Sequence, residues 1–193
     1  MGEGKENLKK ELFFGLVGAA GTDLSLIDNL IKDNLKVVGY NKIIDIRLSA
    51  LLQNVEVKDE DGNKIELVEK PEEKRISAYM DAGNSLRKDF EQGDALALLS
   101  VNKVSKERKK VDECEKIAYI LRSLKHPDEV HTLRRIYGES FFLIGVYSSH
   151  DKCIRNLSSL IARSHETADE EKFTSEAEKL YERDADEHDK LGQ

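Results

Sequence analysis

The chain has 193 residues, 36% of them charged and 39% apolar, with a formal net charge of −7. That length suits one domain able to bury a sizeable core, and the composition is not that of a disordered chain. No apolar run approaches the roughly 18 residues of a membrane span. Cys114 and Cys153 stand far apart without CxxC spacing, which argues against a disulfide framework or a zinc site and sets a reducing cytoplasm as the expected compartment. Charge is uneven: from Glu166 to Gln193 eleven acids face four bases, so this segment carries the whole −7 and residues 1–165 are about neutral. A neutral body with an acidic tail is not the footprint of a duplex-DNA binder.

Residues 12–18, LFFGLVG, form a short apolar run, the pattern of a strand buried on both faces. A helix follows, with Thr22 or Asp23 as N-cap and Leu24, Ile27, Leu30 and Ile31 on one face. Residues 36–47 read as a second strand, and 55–68 as a polar β-hairpin insertion turning at Asp61-Gly62 or Gly62-Asn63. Helices are expected over 72–88 and 94–110, a buried strand over 116–121, and a helix opened by Pro127 with Asp128 and Glu129 in its first turn. The last strong strand is 140–147, followed by helices near 150–164 and 169–183. Strands separated by helices predict an α/β fold with a doubly wound parallel sheet, in which ligands bind beyond the carboxyl ends of the strands. The segments to watch are therefore Gly18–Ser25, 47–49, Arg122–His126 and 147–151.

The first strand–helix turn reads Gly18-Ala-Ala-Gly21-Thr22-Asp23-Leu24-Ser25. Small residues at a helix N-terminus let backbone N–H groups approach a phosphate. Aligned with GxxxxGK[ST], the second glycine is Asp23 and the lysine is Leu24, while Ser25 remains. Leu24 cannot neutralise phosphates, and Asp23 adds a like charge unless its carboxylate caps the helix. With a divalent cation, Asp23 and Ser25 could both serve as oxygen ligands. Ordinary ATP-dependent phosphoryl transfer is not expected of this loop. Two other readings stay open: a tight turn under a helix cap that binds nothing, and a Rossmann glycine turn with Asp45 as the acid, although the spacing here is GxxGxxG.

Several blocks carry a family likeness. GLVGAAGTDL, IRLSALL (46–52), YMDAGNSLR (79–87), GDALALL (93–99), AYILRSLKHPDEVHTLRRIYG (118–138), FFLIGVYSS (141–149) and ERDADEHDKLGQ (182–193) together resemble, in order, the N-terminal domain of the anti-phage dCTP deaminases. They are similar, more distantly, to deoxynucleoside-monophosphate and dephospho-CoA kinases. The resemblance implies a P-loop NTPase fold of the nucleoside-monophosphate-kinase type, spanning 1–165. An acidic exit helix, 166–193, would then lead into a zinc-dependent deaminase domain that converts dCTP to dUTP and depletes phage nucleotides. The deaminase signature, H-x-E with P-C-x-x-C, is not in this chain. The chain is thus expected to be the N-terminal piece, without deamination chemistry; zinc belongs to the other domain, and the only cofactor considered is a nucleotide with magnesium.

Arg47, Arg87, Arg122 and Lys125 stand near the ligand edge, and arginine forks suit phosphate. The resemblance places Asp81, Asn84 and Arg87 in an acceptor-nucleotide pocket, and Arg155 and Arg163 in a lid over phosphates. The bland alternatives are surface ion pairs for the arginines, a cap at a helix break near Gly83 for Asp81, and a backbone-bonded loop histidine for His126. The candidate nucleotide-binding set is Gly18, Gly21, Thr22, Asp23, Ser25, Arg47, Asp81, Asn84, Arg87, Arg122, Arg155 and Arg163, with no catalytic or metal-ligating residue. The leading expectation is a regulatory, nucleotide-sensing module. Its partners would be a nucleotide or phage-derived trigger, the deaminase domain, an inhibitory RNA or a second copy of the chain, and no membrane. The alternatives are an active deoxynucleotide kinase, with Arg122 or Arg163 replacing the lysine, and a ligand-free interaction module.

Overall fold

A computed structural model describes residues 11–110 and 116–190 of the chain. Its four strands are β1 (Glu11–Val17), β2 (Lys42–Arg47), β3 (Ile117–Arg122) and β4 (Phe141–Gly145). They form one sheet in the order β2-β3-β1-β4, and every pairing is parallel. The helices are α1 (Leu24–Val37), α2 (Glu72–Asp89), α3 (Ala95–Arg108), α4 (Pro127–Tyr137), α5 (His150–Ser164) and α6 (Thr174–Lys190). No helix among the described residues is long and apolar enough to cross a membrane.

Strand alternation sorts the core. Phe13, Ile117, Tyr119 and Leu121 point to one face, where they meet Tyr79, Ala82 and Leu86 of α2, Leu96 and Val104 of α3, and Leu133 of α4. Leu12, Phe14, Ile43 and Ala118 point to the other, against Ile31 and Leu35 of α1 and Tyr40. Helices on both faces make the sheet doubly wound, as the alternation of elements predicts. On the first face Phe13 is sandwiched between Tyr119 (centroids 4.9 Å) and Tyr137 (3.6 Å). Each such pair is worth about 0.5–1.5 kcal/mol beyond its buried area, so this column ties β1, β3 and the end of α4 together.

Strand order decides where a ligand can enter. The chain leaving β1 steps over β3 to form β2, and the chain leaving β3 steps over β1 to form β4. Connections that diverge from neighbouring strands leave a crevice at their carboxyl ends. The same order removes the Rossmann alternative, in which β1 pairs directly with β2. Asp45, its proposed ribose acid, lies before the end of β2 and is bonded by Lys32 of α1.

Several local expectations need correction. Residues 36 and 37 finish α1 rather than start β2. Gly39 takes φ +88°, and Tyr40 N–H and Gly39 N–H donate to the carbonyls of Leu35 and Lys36, which is a Schellman stop. Leu30 is exposed; the packed stripe of α1 runs through Ile31 and Leu35 instead. The 55–68 insertion is a hairpin in outline only, with a single antiparallel bridge between Lys58 and Lys64. Two lysines face each other there, which disfavours a ladder. The Asp59 carboxylate accepts the N–H groups of Asp61 and Asn63, an Asx-type turn that competes with strand pairing. Helix α2 runs unbroken through Gly83, so no helix break exists for Asp81 to cap. The last helix starts at Thr174, later than expected, and extends to Lys190.

Candidate functional site

A cavity of about 620 Å³ opens at the carboxyl ends of β1, β2 and β3. That is the size of a small-molecule site, at the place the topology predicts. Its floor is the turn Gly18–Ser25, and Arg47, Ser49, Arg75, Tyr79, Asn84, Arg87, Arg122, Lys125 and Arg163 stand around it.

The turn is shaped by its small residues and by α5. Thr22 N–H donates to the Ala19 carbonyl (3.0 Å), and Gly21, third of the four, has φ +82°, as a type II turn requires. A Cβ on Gly21 would lie 2.3 Å from the Cys153 carbonyl oxygen of α5. Asn156 of the same helix donates to the Gly21 carbonyl (2.9 Å), and Thr22 Oγ1 lies 3.7 Å from the buried Cys153 Sγ. Gly21→Ala is therefore expected to cost about 1–3 kcal/mol in backbone strain and to push α5 off the loop as well. Gly62→Ala shares the positive φ but meets nothing within 4 Å. It should cost only about 1–2 kcal/mol. Thermal melts of the two variants side by side check the difference.

Asp23 caps α1. Its Oδ1 accepts from Ser25 N–H (3.1 Å) and Leu26 N–H (3.3 Å), so the carboxylate is held against the helix start at the floor of the cleft. The Leu24 side chain brings no cation. One arrives from elsewhere: Lys125, in the turn after β3, places its Nζ 3.3 Å from the Gly18 carbonyl. That ammonium is held in turn by Asp184 of α6, at 2.7 and 2.8 Å. Asp184 is 3% exposed, and its Oδ2 also accepts the Ala20 N–H (2.7 Å). Neither Lys125 nor Asp184 belonged to the binding set expected from sequence. Asp184 lay in the acidic segment expected to lead away from the domain, and nothing in one sequence links it to a turn 164 positions away.

The arginines fall into three groups. Arg87, expected in an acceptor pocket, is bound by the fully buried Glu129 (3.0 Å) and by Asn84 (3.2 Å). Glu129 also accepts the N–H groups of Lys125 (2.8 Å) and His126 (3.2 Å). His126 closes the cap by accepting Asp128 N–H on Nδ1 (3.1 Å), the backbone-bonded role set out for it above. Asp81 does not line the cleft: Arg183 of α6 takes it at 2.7 Å. Arg155 also stays outside, bonded to the Asp151 carbonyl of its own helix, whereas Arg163 lines the cavity from the far turn of α5.

Arg47 is different. Among the described residues it forms no ion pair, and Glu72, which attracts it at longer range, is already taken by Arg75 in a two-bond fork. Arg47 stays open to solvent, yet the cleft walls partly desolvate its guanidinium, and Arg75 and Arg122 repel it. Together they hold it below the ordinary arginine range. Among the described residues Arg122 reaches only Asp28, at 3.4 Å, and its buried Nε has no partner there. Arg47, Arg75 and Arg122 thus converge on the cavity with more positive charge than the protein's own carboxylates neutralise there. Guanidinium forks in that state suit a phosphate or carboxylate.

Comparison of the sequence with protein-family models and with curated proteins gives no match.

Proposed function

We propose that this chain is a nucleotide-sensing regulatory domain. It holds the phosphates of a nucleotide in the cleft and does not transfer them. The observation that carries this reading is Arg47, which lines the cavity with Arg75 and Arg122 at the carboxyl edge of a parallel sheet and forms no ion pair among the described residues. An unneutralised guanidinium in a partly desolvated cleft is unfavourable until an anion arrives, which is how a binding site behaves. The absence of transfer chemistry follows from Leu24, an apolar side chain where a P-loop lysine would meet the β- and γ-phosphates. The sequence blocks quoted above supply the setting. On that resemblance the fold is a P-loop, nucleoside-monophosphate-kinase-like one, and the domain controls a dCTP deaminase in antiviral nucleotide depletion.

Thermal melts with dNTPs, dNMPs and inorganic pyrophosphate test the binding. A ligand at about a hundred times its Kd adds about 2.7 kcal/mol, or some 5–10 °C for a domain of this size. A flat response to every nucleotide would remove the reading in favour of a ligand-free interaction module.

One observation favours a second reading, an active deoxynucleotide kinase. Lys125 brings an ammonium to the Gly18 carbonyl, so a lysine supplied by the β3 turn could replace the one missing from the loop. Labelled phosphate transfer from ATP to each dNMP, lost in Lys125→Ala, would establish it. No product is the expected result.

A further inference from the structure

Helix α6 is fastened in two different ways along its length. Its first half is apolar: Phe173, just before it, and Ala177 and Leu180 within it are buried with Leu157 and Ile161 of α5. Beyond Tyr181 the described contacts are polar. Arg183 bonds Ser77 and Asp81, Glu187 accepts from Asn84 (2.7 Å), and Asp184 takes Lys125 and the Ala20 N–H. The Arg183–Asp81 pair is half exposed, and such pairs contribute little. Asp184 is therefore the principal fastening of the second half.

Its two donors are a backbone N–H of a glycine-bounded turn and an ammonium beside the first strand. Those are the groups a phosphate oxygen would use at such a turn. A carboxylate offers them one negative charge, and a polyphosphate offers more. Exchange of one for the other leaves Lys125 and the Ala20 N–H satisfied. It releases a stretch with no buried apolar side chain among its described residues, and segments of that kind open at low cost.

Resting on the reading of the cleft as a nucleotide-phosphate site, we propose that Asp184 is a resident competitor for that site. A ligand carrying a di- or triphosphate displaces Asp184 from Lys125 and Ala20 and frees the second half of α6, so that occupancy of the cleft is reported by the helix.

Hydrogen exchange on the full chain tests this, with inorganic tripolyphosphate as the probe. Protection is expected to rise at 19–25 and fall at 182–190, while 174–180 stays protected. Protection at 19–25 with unchanged or slower exchange at 182–190 overturns the proposal and leaves the binding reading standing. Asp184→Asn, which keeps the shape and removes the charge, is expected to bind tripolyphosphate about tenfold more tightly by calorimetry. Unchanged or weaker affinity in that variant also overturns the proposal. Absence of binding to both proteins removes the nucleotide reading and the competition together.

Discussion

Arg47→Ala is expected to weaken nucleotide binding about ten- to hundredfold while leaving the fold as stable as before, or slightly more so. The two halves of that result have one cause. Arg47 is repelled by Arg75 and Arg122 and forms no ion pair among the described residues, so its removal relieves repulsion and loses no ion pair. With a phosphate in the cleft it donates charge-assisted hydrogen bonds, worth about 1.5–3 kcal/mol each. Isothermal calorimetry with the nucleotide that raises the melting point most, alongside a melt without ligand, separates the two effects. Arg155→Ala serves as the control, since Arg155 lies on the outer side of α5 bonded to its own helix and should change neither quantity. A large loss of stability in Arg47→Ala with unaltered affinity would make Arg47 structural and leave the cleft without its main anion ligand.

Glu129→Ala is expected to be the most destabilising single change around the site. Glu129 is fully buried, accepts from Arg87 and from two backbone N–H groups, and completes the cap of α4. Removing one partner of a buried pair strands the other charge, at about 3–5 kcal/mol. For a chain of this size that lowers the melting temperature by about 6–20 °C. Arg87→Met added to Glu129→Gln should recover part of the loss, because the uncompensated guanidinium is then gone. A double variant less stable than Glu129→Gln alone would show that Arg87 is held by something other than Glu129.

Periodicity and punctuation made much of the fold legible. The apolar runs at 12–18 and 116–121 read as strands enclosed on both sides, and β1 and β3 stand there. Pro127 followed by Asp128 and Glu129 marked a helix start that the capping of α4 reproduces. Gly39 was an equally clear stop for α1, but the apolar residues after Lys36 mimic a strand and mask it. The insertion at 55–68 misled because alternation records which residues face the core, not whether the two arms pair: Val57, Ile65 and Leu67 do face it, with one bridge between the arms. The glycine turn was legible as an anion cradle, and so was the loss of its lysine. Lys125 was legible as a residue near the ligand edge, but its approach to the Gly18 carbonyl was not, since it reaches the turn through the fold rather than along the chain. Nor was Asp184, because net charge over a segment says nothing about the one residue in it that points inward.

The bond between Ala20 and Asp184 has a bearing on how the molecule is made. The glycine turn is synthesised 164 residues before its lock, so a growing polypeptide carries an open turn and an uncompensated Lys125 until α6 has emerged. Contacts between such distant parts of a chain close late, and domains assemble as synthesis proceeds. The cleft is therefore at its most receptive to a free polyphosphate before α6 is made, and it acquires its own occupant only with that helix.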